Sequence, residues 1–444
     1  MNAERSSSSP VQPPSRRIVF DCPGALALLD PTAVMNNLAR GVGGAEVRAL
    51  TFAKWLMSTH GYQTSFVVAS EAVRRSRTKA DGLTIHFEPR RIDLGHGPIR
   101  WLNQSRQTMG RIAGSLVKRI AGVPESRGFY RQFDWDVLIA MGVTNRTASL
   151  VRTAQQLRRP CIVCLTTDRT LQDARRCGRR DRGIYGEQGV WIRYALRHAS
   201  AIVTQTALQR ESLEDLGVNS TWIPNPIDLT QNVSATHSEE GSEPGDASAL
   251  SQLISRLPTQ PYVLWIGRAD TFSKRADLAI EIARQSPHVP FVMVMNRHDD
   301  ACYRRLVATM PANVVLIEHV QYQLMDHVYR RAGLLLNTSA AEGFPNSFLQ
   351  SGKHGVPVVS LRVDPDQVLT QQRVGLCCHD DLALACATVD RWLRVSAERD
   401  HYSLAIRAYV QRVHDLQHCG ERLAQLLNRV HRSWQSANER RSVA

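Results

Sequence analysis

No stretch of the 444-residue chain is apolar for long enough to span a bilayer, which takes about 20 residues as a helix. The N-terminal MNAERSSSSPVQPPSRR has no apolar core to serve as a secretory signal, and residues 1–15 read as a disordered polar tail. The cytoplasm is the expected compartment. Metal sites are equally hard to find. None of the 15 histidines stands in the H-E-x-x-H pattern of a helical zinc site. Of nine cysteines, Cys161 and Cys164 form a C-x-x-C, but no second pair accompanies them. A structural zinc needs four ligands and a redox pair opens a helix, whereas these two sit in the apolar run CIVCL. Buried strand thiols are the better reading. The front half also lacks a nucleic-acid motif or interleaved aromatics, so nucleic acid is not an expected partner.

Hydrophobic residues make up 43% and charged ones 22%, a globular composition, and the length allows two domains. The net charge of +14 is unevenly placed. Residues 1–230 hold 32 Lys/Arg against 19 Asp/Glu, a net of +13; residues 231–444 hold 23 against 22, a net of +1. A basic front half suits an anionic membrane surface or a phosphorylated acceptor. From Ile99 to Ile120 the spacing is helical, with Trp101, Leu102, Met109, Ile112, Leu116 and Ile120 on one broad side and five basic residues around the rest. Such a helix lies in a membrane interface, or equally in a domain with one solvated face.

In chain order, apolar runs at Arg16–Pro23, Thr64–Ser70, Leu83–Pro89, Trp135–Gly142, Pro160–Thr170 and ASAIVTQT predict strands, with helices at about Asn145–Leu157 and Gly189–His198 between them. SEAVRRSRTKADG reads as a basic connection. Repeated strand–helix alternation means a doubly wound parallel sheet. Gly41, Gly43 and Gly44 precede a helix running to about His60. They let backbone approach a ligand, or let a helix pack closely on a strand. They are not the dinucleotide fingerprint, because position 46 is Glu. Asp168 lies just past a strand's carboxyl end, as a ligand group or a helix cap. Thr230 to about Pro258 is acidic and small, and reads as a linker or surface insertion. The alternation then restarts at PYVLWIGR and, after Gly375, gives way to helix.

The most informative stretch is AGLLLNTSAAEGFPNSFLQSGKHGVPVVS, Ala332 to Ser360. It reads as a strand, a loop, a helix and a strand. The loop brings Glu342 and Gly343 to the carboxyl edge of the sheet, and the helix after Pro345 points its N–H groups into the same crevice, which suits a phosphate. An ordinary βαβ unit with a polar loop is the plainer alternative.

Four motifs in this order resemble the GT-B glycosyltransferases, specifically the large retaining family four: GGAE at Gly43–Glu46, IPNPID at Ile223–Asp228, WIGR with SKRADLAI at Trp265–Ile280, and EGFPNSFLQSGKHGVPVVS. The resemblance covers residues 16 to about 435. It implies two Rossmann-like domains facing a central cleft: an acceptor domain (16–230), an acidic linker (231–258), a donor domain (259–415) and a final helix (416–444) crossing back to the first domain. It implies that Arg268 and Lys274 hold the diphosphate of a UDP- or GDP-sugar, and that Glu342 meets the sugar at the reacting centre. Gly267, Gly343, Phe344, Pro345 and Asn346 would line the donor site, with amides on sugar or phosphate oxygens and Gly43 and Gly44 facing the diphosphate across the cleft. Asn225 would position the interdomain turn or merely form it.

Two positions depart from the family. The second Glu of its E-x7-E motif is Gln350, which accepts and donates but without charge. A His common after the strand that here reads CIVCLTTDRT is replaced by Asp168, acting on acceptor or sugar, or capping a helix. No D-x-D pair stands in a plausible site, in keeping with a metal-independent scheme and no cofactor beyond the donor. The implied activity is transfer to a glycan or lipid-linked acceptor, with polysaccharide or lipopolysaccharide assembly as the family's commonest role; the basic front half, not the resemblance, suggests peripheral attachment to the inner face of the plasma membrane. Gln350 also leaves room for a nucleotide-sugar sensor without turnover. A sugar-nucleotide epimerase would need proton-moving carboxylates that the chain does not supply.

Overall fold

The computed structural model describes residues 16–30, 43–70, 77–80, 82–89, 127–175, 182–183, 186–230, 244–297 and 299–443. The N-terminal tail, the basic segment around residues 99–120, most of the arginine-rich loop and the acidic stretch up to residue 243 lie outside them.

The first half is built on β1 (Arg17–Asp21), β2 (Gln63–Ser70), β3 (Arg77–Ala80), β4 (Leu83–Pro89), β5 (Val137–Met141), β6 (Cys161–Cys164), β7 (Ala201–Thr204) and β8 (Thr221–Trp222). They pair in the order β3-β4-β2-β1-β5-β6-β7-β8, parallel except for β3 against β4. The second half holds β9 (Tyr262–Arg268), β10 (Phe291–Asn296), β11 (Val314–Ile317), β12 (Ala332–Asn337), β13 (Val358–Ser360) and β14 (Gly375–Cys377) in the order β11-β10-β9-β12-β13-β14, all parallel. These are two Rossmann-like halves, as the sequence led us to expect.

The pattern that made the strands legible is burial on both faces. In β1, Ile18 and Phe20 enter one core while Val19 enters the other. In β10, Val292 and Val294 face one way, Phe291, Met293 and Met295 the other. Cys161 and Cys164 are buried on β6, and burial pushes both thiols up.

Two readings need correction. The basic connection before Leu83 contains β3, whose RTKA is too short and polar to register as a strand without its partner. The supposed linker at 230–258 is helical over Pro244–Arg256. Leu250, Leu253, Ile254 and Leu257 recur at helical spacing there, and Leu253 and Leu257 are buried against the second sheet. The acidic residues upstream masked that stripe.

The chain ends in two long helices, Ser396–His414 and Leu416–Val443. Between them it returns to the first half: Ile227 N donates to His414 O at 2.8 Å, and Leu416 N to Ile227 O at 3.2 Å. Cys419, Leu423, Ala424, Leu426 and Leu427 then join the core of β1 and the helix Gly44–His60. Gln417 accepts a bond from Trp55 Nε1 at 2.8 Å. A Cβ at Gly420 would lie 2.5 Å from the Trp55 indole, so only glycine lets the last helix seat there. Gly420→Ala is expected to destabilise the chain by about 1–3 kcal/mol through overpacking, read as a lowered urea midpoint. An unchanged midpoint would show that the helix is not held where the structure puts it.

Candidate active site

The carboxyl ends of both sheets face one crevice, the usual ligand position in open α/β folds. On the second half, β9 ends at Arg268, whose Nε lies 2.5 Å from Asp270 Oδ2. The other oxygen of Asp270 accepts from the backbone N–H groups of Phe272 (3.1 Å), Ser273 (2.5 Å) and Lys274 (2.8 Å). Burial alone would raise this carboxyl, but Arg268 and the two amides of Ser273 and Lys274 hold it below its ordinary value. Asp270 thus folds the loop that carries Lys274. Lys274 Nζ forms an ion pair with Glu342 Oε1, which also accepts from Ser339 Oγ at 2.8 Å.

Beneath this pair the backbone is over-determined. Thr338 Oγ1 donates to Lys274 O at 2.6 Å and accepts from Trp265 Nε1 at 2.9 Å. Arg275, in the left-handed region at φ +51°, donates Nε to Thr338 O at 2.5 Å and pairs with Asp380 at 2.7 Å. Gly267 lies under the same group: a Cβ there would stand 2.7 Å from the Trp265 ring and 3.3 Å from Lys274 Cγ. Gly267 therefore makes room for the tryptophan and the lysine stem.

The two halves touch directly around the EGFPN loop. Phe344 N donates to Gln205 Oε1 at 2.9 Å, and Asn225 Nδ2 donates to Phe344 O at 3.0 Å. Asn346, in the first turn of the helix Asn346–His354 that Pro345 caps, donates to Gly44 O at 2.9 Å. A Cβ at Gly343 would fall 2.3 Å from Gln205 Oε1. Asp168 stands across from Glu342. It accepts from Gln209 Nε2 at 2.7 Å, and its carboxyl is pushed up to about 6, by burial first and then by the carboxylates of Asp366 and Glu342.

The sequence matches the family description "Glycosyl transferase 4-like domain" over residues 43–226 and "Glycosyl transferases group 1" over residues 260–393, together well over half of the chain. The chain belongs to the group 1 glycosyltransferases of the GT-B fold. Among solved structures, sucrose-phosphate synthase from Thermosynechococcus elongatus is similar at 14% identity and a TM-score of 0.68, over 94% of this chain and 100% of that one. HepE from Anabaena, solved with UDP, gives 13% identity and 0.57 over 93% and 99%. An α,α-trehalose-phosphate synthase (UDP-forming) from Burkholderia vietnamiensis gives 13% and 0.60, also over 93% and 99%. At such identities the likeness speaks for the fold. No curated protein sequence matches the chain.

In this glycosyltransferase several expected donor contacts are already engaged. The amide of Phe344 was expected on a donor oxygen, but Gln205 holds it, and the Phe344 ring is buried against His414 at 4.4 Å between centroids. At Gly43 the amide meets the carboxyl of Glu46, which turns back onto its own helix start and leaves no room for a Cβ at Gly24 or Gly43. Burial raises that carboxyl. Gly43 therefore accommodates a side chain of its own helix, an option not weighed from the sequence; Gly44 instead faces Asn346, where a Cβ would stand 3.5 Å away, and Gly41 lies outside the described residues. Gln350 Nε2 donates to the Tyr322 hydroxyl at 3.1 Å, and burial pushes that phenol up to about 12.

Asp270, Arg275, Gln205, Gln209 and Asp366 were missed. Asp270 had a signal, since Asp ahead of a short polar run is a turn former. The others had none, because their partners lie in distant segments. Among the described residues no group of three or more His, Cys, Asp or Glu is placed to hold a metal ion, and no helix is long and apolar enough to cross a membrane.

Proposed function

We propose that the chain is a retaining transferase that moves a sugar from a UDP- or GDP-sugar to a hydroxyl of a glycan or lipid-linked acceptor, in polysaccharide or lipopolysaccharide assembly. The observation that carries it is the Lys274–Glu342 pair, built on the Arg268–Asp270 loop and facing Asp168 across the crevice. Residues 259–415 take the donor, residues 16–230 the acceptor, and 416–444 tie the halves together. Lys274 and Arg268 neutralise the charge that grows on the leaving diphosphate. Glu342 holds the sugar's hydroxyls. The acceptor hydroxyl attacks on the face the diphosphate leaves, and the leaving phosphate oxygen takes its proton, so no side-chain nucleophile enters. Closure keeps out water that would hydrolyse the donor. The basic first half suits a phosphorylated acceptor or the inner face of the plasma membrane.

The purified chain, given a panel of UDP- and GDP-sugars with lipid-linked and glycan acceptors, is expected to release nucleoside diphosphate, with little change on adding EDTA. Binding of a sugar nucleotide with no release across the panel would replace this reading with that of a sensor.

A further inference from the structure

Two loops of the second half converge on one helix start of the first. The helix Ala207–Glu214 opens after β7, and its first three amides are all engaged. Gln209 N donates to Thr206 Oγ1 at 3.1 Å, a local cap. Ala207 N and Leu208 N donate to Asp366 Oδ2 and Oδ1 at 2.8 and 2.9 Å, a cap supplied from the opposite half, 159 residues away from Ala207. A carboxylate at a helix N-terminus also meets the positive end of the helix dipole.

The loop after β13 is shaped for this reach. Asp364 serves the local turn, accepting from Leu369 N at 2.7 Å and Thr370 Oγ1 at 2.6 Å. Asp366 and Gln367 are both left-handed, at φ +51° and +55°. Two such residues in succession persist only where their surroundings over-determine them. The hydrogen bonds of the Asp366 side chain both come from the opposite half.

The same helix start meets the reacting groups. Gln205 and Gln209 are buried; Gln205 N donates to Gln209 Oε1 at 2.9 Å. Gln205 accepts from Phe344 in the loop that carries Glu342, and Gln209 donates to Asp168. We propose that Asp366 is a positioning residue for the transfer: by capping the Ala207–Glu214 helix from the opposite half, it holds the crevice shut and sets Glu342 against Asp168. The kinetic arm of this inference rests on the transferase reading; the structural arm does not.

Asp366→Ala removes the cap from one side. Ala207→Pro removes one of its donors from the other, and proline is favoured at a first helical position, after a Thr206 that is already extended at φ −127°, ψ 156°. In small-angle scattering of the full chain without ligand, both variants are expected to raise the radius of gyration by on the order of 1 Å. With UDP-glucose and the acceptor panel, UDP release is expected to fall about tenfold in kcat while KM for UDP-glucose stays within about twofold, because the donor binds the second half. The double variant should be no worse than Asp366→Ala alone, since the bond that Ala207→Pro removes is one of the two that Asp366→Ala removes. Scattering curves that superpose on wild type, or fully additive losses, would overturn the proposal. A wild-type chain that turns over no donor would sink the transferase reading, and the scattering comparison would still decide the cap.

Discussion

Lys274→Ala is expected to lower kcat/KM by about 10²- to 10³-fold, with the loss mainly in kcat. On the proposed reading charge develops beside this lysine as the diphosphate departs, and its position is fixed from several sides. Asp270 gathers the amides ahead of it, Thr338 Oγ1 holds its carbonyl, and Gly267 clears space for its stem. A donor therefore meets an ammonium already oriented, with little reorganisation left for the reacting step. Arg268 does not substitute, because Asp270 holds its Nε and so fixes where its guanidinium stands. Lys274→Arg is expected to rescue poorly: a planar fork is not interchangeable with a compact ammonium on a flexible stem, and Glu342 and Ser339 fix the space it must enter. Glu342→Ala should lose activity of the same order, since it removes the group assigned to the sugar and leaves Lys274 without its partner. Steady-state release of nucleoside diphosphate, alongside thermal melting to show that the variants fold, checks this. A kcat/KM within threefold of wild type in both variants would remove the pair from the reaction.

That part of the site was legible because its information is local. Arg268, Lys274 and Glu342 each follow a strand whose two-sided burial is plain in the sequence, and a residue just past such a strand has only one edge to reach. The helix bounds at Gly189–His198 and after Pro345 were legible for the same reason. What was not legible is how the halves meet. Nothing in the sequence near Gln205 or Asp366 names the partner across the crevice, and a polar residue at a helix start has many local uses. Glu46 shows the converse hazard. GGAE invites a phosphate at the glycines, yet the fourth residue of the motif reaches back to the Gly43 amide. The helix Pro244–Arg256 was obscured by its neighbourhood, where acidic and small residues outweighed four apolar positions at helical spacing.

Asp168→Asn should make the chain more stable at pH 7 and less active. The sign follows from the carboxyl's elevation to about 6, caused by burial and by the carboxylates of Asp366 and Glu342, against the accepting bond from Gln209. Between the ordinary aspartate value of about 4 and 6 the folded chain binds more protons at this site than the unfolded chain does, so stability falls as pH rises through that window. The cost is fully present above about pH 6, at about 3 kcal/mol, and absent below about pH 4. Asparagine keeps an oxygen for Gln209 Nε2 and carries no charge, so the variant should lose this dependence and gain stability at neutral pH. Activity should move the other way. If the Asp168 carboxylate contacts acceptor or sugar, wild-type kcat/KM rises with pH through about 6, and the variant shows a flat acid limb at a rate lower by about 10- to 10²-fold, the worth of a hydrogen bond to a charged group. Urea midpoints at pH 5 and 7.5, with pH–rate profiles of both proteins, separate the two effects. A variant that gains stability at pH 7 yet keeps wild-type rates and the same acid limb would leave Asp168 as a buried partner of Gln209 with no part in transfer. A group kept charged at a cost to stability is instead expected where function needs the charge.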